Sequence, residues 1–261
     1  MNRKYIITTE VHHTGHIILN RPDVHNAMHI GMIREISEAI REYNARDGIR
    51  VIFVSANGTN FSAGADLKWM REGLDQGKEE LFGESRELAM LFNDIYNSPR
   101  VTVALAKGKV MGGANGIMAA ADIPLATPDA SFAFSEVKLG LIPATIAPYI
   151  VQRSGAAAAK EWMLSGRRIS ADEAMQKGLI SRVVTNEEAL QPEKLLEPLL
   201  RNGPEAMQGV KRMFRDGSLQ LNPDQLIEAT SGLIAEFRVS EEGQEGIRAF
   251  FEKRQPRWTN E

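Results

Sequence analysis

Two segments of the chain are rich in glycine and alanine and could present backbone N–H groups to a ligand. They are residues 61–66 (FSAGAD) and residues 108–116 (GKVMGGANG). Small residues let another group approach the main chain closely, and two N–H groups aimed at one oxygen form an oxyanion hole. The same composition also suits tight packing of a helix on a strand. From these residues alone, both interpretations stay open.

Several other kinds of chemistry are disfavoured by the residues present. The chain has no cysteine, which excludes disulfides, thiolate metal sites and a cysteine nucleophile. Residues 108–116 contain no G-x-G-x-x-G, and neither Gly-Lys pair of the chain is followed by Ser or Thr, so both nucleotide-binding fingerprints are missing. Ser62 lacks the first glycine of a nucleophile elbow. The five histidines lie within residues 12–29 without a helical pair beside a carboxylate, so we expect no metal site.

Composition and charge limit the kinds of partner that the protein is expected to bind. The chain has 261 residues, 43% of them hydrophobic, which is enough for a sizeable core. A formal net charge of -3 gives no overall basic field, so we expect no nucleic-acid partner. No apolar run approaches the roughly 20 residues of a membrane helix, and no signal-peptide core is present. We therefore expect a protein without a membrane partner, located in the cytoplasm, or in an organelle matrix if a targeting segment has been removed.

Each small-residue loop follows a predicted strand and precedes a predicted helix. Strands are predicted over residues 5–10, 15–19, 51–55 and 101–106. Apolar residues from Met32 to Tyr43 recur at three- and four-residue spacing, which predicts an amphipathic helix. Residues 75–84 are mostly polar and are predicted to be mobile. Repeated strand, loop and helix units indicate an α/β fold, and helical periodicity dominates after residue 143.

Several segments together resemble the signatures of the enoyl-CoA hydratase/isomerase (crotonase) family, in the right order and over nearly the whole chain. The segments are Asn20-Arg21-Pro22 with Asn26-Ala27, residues 61–67, 108–115 and 135–143, Arg168-Ile169-Ser170-Ala171 with Gly178-Leu179, and residues 250–254. The resemblance implies a crotonase-like spiral of repeated ββα units over residues 1–200. It also implies a C-terminal helical trimerisation subdomain over residues 201–261, and a homotrimer or a dimer of trimers. The implied substrate is an acyl-CoA thioester, so coenzyme A is part of the substrate and no separate cofactor is expected.

The resemblance also implies roles for individual residues. By position, the oxyanion amides fall on Ala63 and Gly113, one in each small-residue loop. The proton-transfer glutamate falls on Glu136. Apolar neighbours, Phe132, Phe134, Val137 and Leu139, should place its carboxylate beside apolar surface and raise its pKa.

Coenzyme A is expected to contact three parts of the chain. The family's adenine-binding backbone corresponds to Ala65, Asp66 and Leu67, with Lys68 close by. The turn after Asn-Arg-Pro corresponds to Asp23, Val24 and His25. From the tail of a neighbouring subunit, Phe250 and Lys253 match positions that reach the nucleotide, and Lys253 would supply a cation for phosphate. An ordinary core position is the alternative for Phe250.

Gly116 departs from the pattern of hydratases that use two carboxylates, which carry a glutamate there. One carboxylate can still hydrate a double bond by syn addition, or isomerise it, so the residues present do not separate the two activities. We favour an enoyl-CoA hydratase because Gly116 would leave room for substrate or water. Residues 135–144 also resemble hydratases of branched or carboxylated substrates such as 3-methylglutaconyl-CoA. A 3-enoyl-CoA to 2-enoyl-CoA isomerase and a non-catalytic acyl-CoA-binding protein are the alternatives.

Overall fold

The computed structural model describes residues 3–216 and 219–259. By its internal contacts the chain divides into two compact units, Met1–Ser98 with Thr102–Gln191, and Pro99–Val101 with Pro192–Glu261. The functional division at residue 200 stays a prediction. Residues 1 and 2 of the predicted core, and residues 217, 218, 260 and 261 of the predicted subdomain, lie outside the described residues.

The strands and helices alternate along the first unit, as the small-residue loops predict. The strands are β1 Ile6–Val11, β2 Thr14–Leu19, β3 Val51–Ala56, β4 Val101–Ala106, β5 Lys109–Met111, β6 Ile123–Ala126, β7 Ser131–Ala133, β8 Ile169–Ser170 and β9 Arg182–Val183. The helices of this unit are α1 Ile30–Asn44, α2 Leu67–Glu72, α3 Lys78–Tyr96, α4 Ala114–Ala120, α5 Ala147–Ser165, α6 Ala171–Gln176 and α7 Asn186–Ala189.

The strands form two sheets. The larger sheet has the order β1-β2-β3-β4-β6-β9, and the smaller one has the order β5-β7-β8. β1 and β2 are antiparallel, whereas β2 and β3 are parallel, as are β4 and β6. In the smaller sheet β5 and β7 are also parallel. Strands β2, β3 and β4 are buried along almost their whole length, as expected for sheet strands covered on both faces.

Successive ββα units build the spiral. β4 lies in the larger sheet, β5 in the smaller one, and α4 follows; β6, β7 and α5 repeat that order. Each unit therefore adds one strand beside its predecessor in both sheets. This architecture confirms the predicted α/β class, and it brings the ends of β5 and β7 side by side, where the second small-residue loop and the segment of Glu136 begin.

The helix predicted from apolar spacing is α1. Its periodic residues all face the core: Met32, Ile33, Ile36, Ile40 and Tyr43 are each at most 4% exposed. His29 precedes the helix and accepts a hydrogen bond from the N–H of Gly31 through Nδ1, at 3.0 Å, which caps the first turn. The 3.6-residue period therefore located this element correctly.

Two segments contain more regular structure than the sequence indicates. Residues 75–84, predicted to be mobile, include the start of α3 at Lys78, where the N–H of Gly77 donates to Glu80 Oε2 at 3.1 Å; their mobility stays a prediction. The first half of α3 is exposed, so its sequence shows no apolar period there. Residues 108–116 are not a continuous loop, since they contain β5 and the first turn of α4.

The second unit is helical over the described residues that follow α7. Its helices are α8 Pro192–Leu200, α9 Pro204–Arg215, α10 Pro223–Val239 and α11 Glu241–Glu252. Many of its large apolar side chains are exposed, including Val210, Phe214, Ile227, Ile234, Val239, Phe250 and Phe251. No helix in the described part of the chain has the length and apolar character that crossing a membrane requires.

Candidate active site

The two small-residue loops run alongside each other in the first unit. The N–H of Ser62 donates to the carbonyl of Lys109, and the N–H of Met111 donates to the carbonyl of Ser62, both at 3.0 Å. Gly64 lies close to the backbone of the second loop. A Cβ built on Gly64 would be 3.0 Å from the carbonyl oxygen of Met111. The close backbone approach that alanine and glycine permit is therefore used to bring the loops together.

Ala63 does not present a free N–H, so the structure does not support its assignment to the oxyanion hole. Its N–H donates to the carbonyl of His25 at 2.9 Å. Two residues further on, Ala65 is exposed, and none of the residues described offers an acceptor to its N–H. The change of direction occurs at Gly64, where φ is +93°, a value that favours glycine. The available amide of the first loop is that of Ala65.

In the second loop the predicted donor is the N–H of Gly113, whose role in an oxyanion hole stays a prediction. The N–H of Gly113 likewise finds no acceptor within residues 3–216 and 219–259, whereas the N–H groups of Gly112 and Gly116 are both bonded. Met28 links the two available amides. Its backbone pairs with Ala65 in an isolated bridge, and its Cε lies 3.4 Å from a Cβ built on Gly113.

Both available amides belong to peptides whose carbonyl oxygen is anchored. The carbonyl of Gly64, in the same peptide as the N–H of Ala65, accepts a hydrogen bond from the N–H of Met28 at 2.7 Å. The carbonyl of Gly112, in the same peptide as the N–H of Gly113, accepts from the N–H of Asn115 at 3.0 Å. A peptide held at its oxygen has a fixed N–H direction, and the bond polarises that N–H as a donor.

Glu136 lies beside the second loop. A Cβ built on Gly112 would be 3.3 Å from Glu136 Oε1. The other oxygen, Oε2, is buried and has no hydrogen-bond partner among the described residues. Burial raises the pKa of the Glu136 carboxyl, which agrees with the predicted direction. A raised pKa makes the ionised carboxylate a stronger base, which suits it to accept a proton and give it back.

Two of the apolar residues expected beside the Glu136 carboxylate, Phe132 and Phe134, are fully buried, and the ring of Phe134 stacks on Trp162 with a centroid distance of 6.0 Å. Leu139, also expected there, is instead 62% exposed. Glu136 is the first residue of a short 3-10 helix, Glu136–Leu139. Its backbone carbonyl accepts a hydrogen bond from the N–H of Leu141 at 3.0 Å.

Gly116 does not leave room for water or substrate, contrary to the prediction. It is buried in α4, and a Cβ built on it would be 2.5 Å from the ring of Phe92 and 2.6 Å from Cγ2 of Ile146. Phe92 lies in α3, far from Gly116 along the chain, so no local pattern could have revealed this contact. A second carboxylate cannot be placed at Gly116 while these two side chains keep their positions.

Two of the three segments predicted to contact coenzyme A lie in the first unit. Asp23, Val24 and His25 are exposed in the turn after Pro22. Leu67 and Lys68 are exposed at the start of α2, with the Lys68 side chain 81% exposed and 3.9 Å from Glu72. A contact of these residues with a nucleotide stays a prediction.

An ion pair joins these two segments. Arg21 Nη2 lies 2.8 Å from Asp66 Oδ2, and Oδ1 of Asp66 accepts the N–H of Lys68 at 2.9 Å. Burial alone would raise the pKa of Asp66, but the hydrogen bonds from Arg21 and the α2 backbone lower it. The carboxylate of Asp66 is therefore engaged within the protein, and its main-chain N–H donates to the carbonyl of Met28 at 2.8 Å.

Phe250 and Lys253 lie at the end of α11 in the second unit. Phe250 is 78% exposed, and Lys253 caps the helix with a φ of +53°. Exposure argues against an ordinary core position for Phe250 within one chain, and its contact with a neighbouring subunit's ligand stays a prediction. Among the described residues, no group of three or more histidine, aspartate or glutamate side chains could hold a metal ion.

Comparison with known proteins identifies the family. Residues 12–261 match the model of the enoyl-CoA hydratase/isomerase family. The chain is 33% identical over 250 residues to enoyl-CoA hydratase domain-containing protein 3, mitochondrial, of Danio rerio, covering 94% of this chain and 84% of that protein. It superposes on a crystal structure of an enoyl-CoA hydratase from Shewanella pealeana with a TM-score of 0.93, at 37% identity, covering 98% of this chain and 96% of the other.

A second solved structure agrees. An enoyl-CoA hydratase/isomerase from Marinobacter aquaeolei has a TM-score of 0.89 at 32% identity, covering 98% of this chain and 99% of that chain. These neighbours confirm the predicted crotonase fold. With its ββα spiral, adjoining small-residue loops and buried glutamate, the chain belongs to the enoyl-CoA hydratase/isomerase family.

Proposed function

We propose that this protein is an enoyl-CoA hydratase that adds water across the 2,3 double bond of an enoyl-CoA thioester with Glu136 as its single acid and base. The observation that carries the proposal is the carboxyl of Glu136, beside the peptide that carries the N–H of Gly113, with one buried oxygen free of partners among the described residues. The family acts on acyl-CoA thioesters, which supplies the substrate class.

The reaction can be written with these groups alone. Ionised Glu136 takes a proton from water while the water oxygen bonds to C3. The electrons of the double bond move toward the thioester, whose oxygen becomes negative and is held by the N–H groups of Ala65 and Gly113. C2 then takes the proton back from Glu136. The product is a 3-hydroxyacyl-CoA, and the carboxylate is restored.

Isomerisation of 3-enoyl-CoA to 2-enoyl-CoA is a second candidate, favoured by one observation. Phe92 and Ile146 fill the space next to Gly116, so the chain positions no water through a second carboxylate at that point. An isomerase needs none, because Glu136 would remove a proton from C2 and deliver it to C4. The oxyanion groups would serve both reactions equally.

A turnover screen separates the candidates. Purified protein is mixed with straight, branched and carboxylated 2-enoyl-CoA thioesters, including 3-methylglutaconyl-CoA, and separately with 3-enoyl-CoA. Hydration lowers the absorbance of the conjugated thioester, and isomerisation raises it. Glu136→Gln, which keeps the shape of the side chain, should lower the rate by roughly 10²–10⁴. Equal rates for the wild type and this variant would refute the role of Glu136, and binding of CoA thioesters without turnover would favour a non-catalytic protein.

The assembly and location are proposals as well. A homotrimer or dimer of trimers would cover exposed apolar side chains of the second unit such as Phe214, Ile234 and Phe251. Sedimentation equilibrium at micromolar concentration tests this, and a monomer would contradict it. Within such an assembly Lys253 and Phe250 of one subunit would approach the nucleotide of another, so Lys253→Ala should weaken coenzyme A binding. The cytoplasmic location stays a prediction, as does the absence of a separate cofactor.

A further inference from the structure

Asn115 is a buried polar residue next to the second loop, with a side chain that the proposed reaction does not use. It is 0% exposed, in the first turn of α4. Its Nδ2 donates two hydrogen bonds, to the carbonyl of Gly112 at 2.9 Å and to the carbonyl of Ala133 at 3.0 Å. Both hydrogens of the amide are therefore engaged, and both go to main-chain oxygens on the Glu136 side of the loop.

The first of these bonds acts on the peptide that carries the N–H of Gly113. A peptide group is planar and conjugated, so a donor at the oxygen of Gly112 fixes the plane and polarises the N–H at its other end. With the N–H of Asn115, at 3.0 Å, the Gly112 oxygen accepts two hydrogen bonds. The corresponding peptide of the first loop receives one, from Met28.

The second bond ties this peptide to the segment of the base. Ala133 is the last residue of β7, three positions before Glu136, and its carbonyl also accepts the N–H of Gly112 at 2.9 Å. One side chain thus joins the carbonyl of the Gly113 peptide to the strand that leads into Glu136.

The other end of the side chain argues against a purely structural role. Asn115 Oδ1 is buried and finds no hydrogen-bond partner among the described residues. A buried acceptor without a partner destabilises a fold, whereas an apolar side chain of similar size would not. Both carbonyls that Nδ2 contacts keep a main-chain donor without it. Stability alone would therefore favour leucine at this position.

We propose that Asn115 is a positioning residue, which orients and polarises the N–H of Gly113 toward the thioester oxygen and fixes that N–H relative to Glu136. The proposal rests on the proposed function of the Gly113 amide. In a chain without a second carboxylate, more of the rate depends on the oxyanion donors, and Asn115 strengthens one of them.

The test replaces Asn115 and measures polarisation directly. Asn115→Leu removes both donors and keeps the number and branching of the side-chain heavy atoms, with Asn115→Ala as a second variant if the larger leucine does not fit. Thr127→Val is the matched control, because buried Thr127 also donates to a carbonyl, that of Ala106, which keeps the N–H of Thr127 as a main-chain donor. Carbonyl-¹³C-labelled butyryl-CoA, which has no double bond to react, is bound, and its carbonyl stretch is read by infrared difference spectroscopy.

For wild type and Thr127→Val we expect the thioester stretch to move to lower frequency on binding. For Asn115→Leu we expect less than half of that movement, with kcat reduced roughly tenfold and KM nearly unchanged. That loss is smaller than the roughly 10²–10³ seen when an oxyanion donor itself is removed. The unfolding temperature of Asn115→Leu should equal or exceed that of wild type.

Other outcomes would refute either the positioning role of Asn115 or the oxyanion site itself. Wild-type frequency shift and kcat in a folded Asn115 variant would refute the positioning role while leaving the oxyanion site intact. Losses of kcat that merely follow losses of unfolding temperature in the Asn115 variants and in Thr127→Val would also refute it. No frequency shift in the wild type would instead refute the oxyanion site, and with it the proposed function.

Discussion

The ring of Phe92 occupies the space that any side chain on Gly116 would need, 2.5 Å from the position of its Cβ. That distance is far inside van der Waals contact, and the ring is fully buried, so it has little freedom to move away. Glycine at this position is therefore required by packing. Because Phe92 of α3 fills this space, a second carboxylate cannot be placed at Gly116.

Gly116→Ala should destabilise the protein by about 1–3 kcal/mol, because the added methyl overpacks a closed part of the core. Thermal unfolding measures the effect. Gly83→Ala is the control, since Gly83 is also within a helix but meets nothing within 4 Å. There the same exchange should be neutral or stabilising. Adding Phe92→Ala to Gly116→Ala should restore part of the loss, and strictly additive effects would argue against the contact.

Gly64→Ala should reduce turnover at least tenfold, because its φ of +93° and the nearby carbonyl of Met111 leave no unstrained place for a methyl. The strain is expected to turn the next peptide, and with it the N–H of Ala65. Gly155→Ala is matched for backbone strain, with a φ of +75° and open space around the Cβ. It should lose some stability but keep its kcat. Equal kcat values for the two variants would contradict the role of Ala65.

The acid limb of the pH–rate profile should lie above the ordinary glutamate range. Hydration needs Glu136 ionised, and burial raises the pKa of its carboxyl from the usual 4.5. kcat/KM should therefore rise with a slope of one as the pH increases through this raised pKa, and then level off. Stopped-flow absorbance with 2-enoyl-CoA gives the profile. A half-maximum at or below the usual glutamate value would contradict a buried base.

Glu136→Gln should be more stable than wild type at neutral pH, by an amount that shrinks as the pH falls. Because the folded-state pKa of Glu136 is raised, its neutral form suits the fold at low pH, below the unfolded-state pKa. As the pH rises through the folded-state pKa, the wild type must bury a charge and loses relative stability. Urea unfolding of both proteins from about pH 4 to about pH 8 measures the difference. A stability difference independent of pH would show that burial does not raise the pKa of Glu136.

Local patterns predicted the regular elements well. The strand over residues 101–106 is β4 residue for residue, and the spacing from Met32 to Tyr43 gave α1 with every periodic residue buried. Thr185 followed three residues later by Glu188 is a spacing typical of a capping box, and the structure forms both of its hydrogen bonds. These features depend on neighbours within one or two turns, which a sequence displays directly.

Long-range packing and hydrogen bonding decided what the sequence could not show. The sequence does not show that the N–H of Ala63 is already bonded whereas that of Ala65 is not. The acceptor for Ala63 is the carbonyl of His25, which lies in another turn. The room expected at Gly116 is taken by Phe92 from α3. Ser170 also lies three residues before a glutamate, a spacing typical of a capping box, and its hydroxyl caps α6, but Glu173 pairs with Arg167 instead.

Both proposed oxyanion donors belong to the main chain, and this shapes how the protein would tolerate mutation. Apart from proline, which has no backbone N–H, no exchange of side chain can delete such a donor; the other residues can only tilt the peptide that holds it. In a comprehensive substitution scan, residues 64, 112 and 113 should therefore give losses that grow with side-chain bulk. At Glu136 the reacting group is a side chain, so nearly every exchange in the same scan should abolish activity, whatever the size of the new residue.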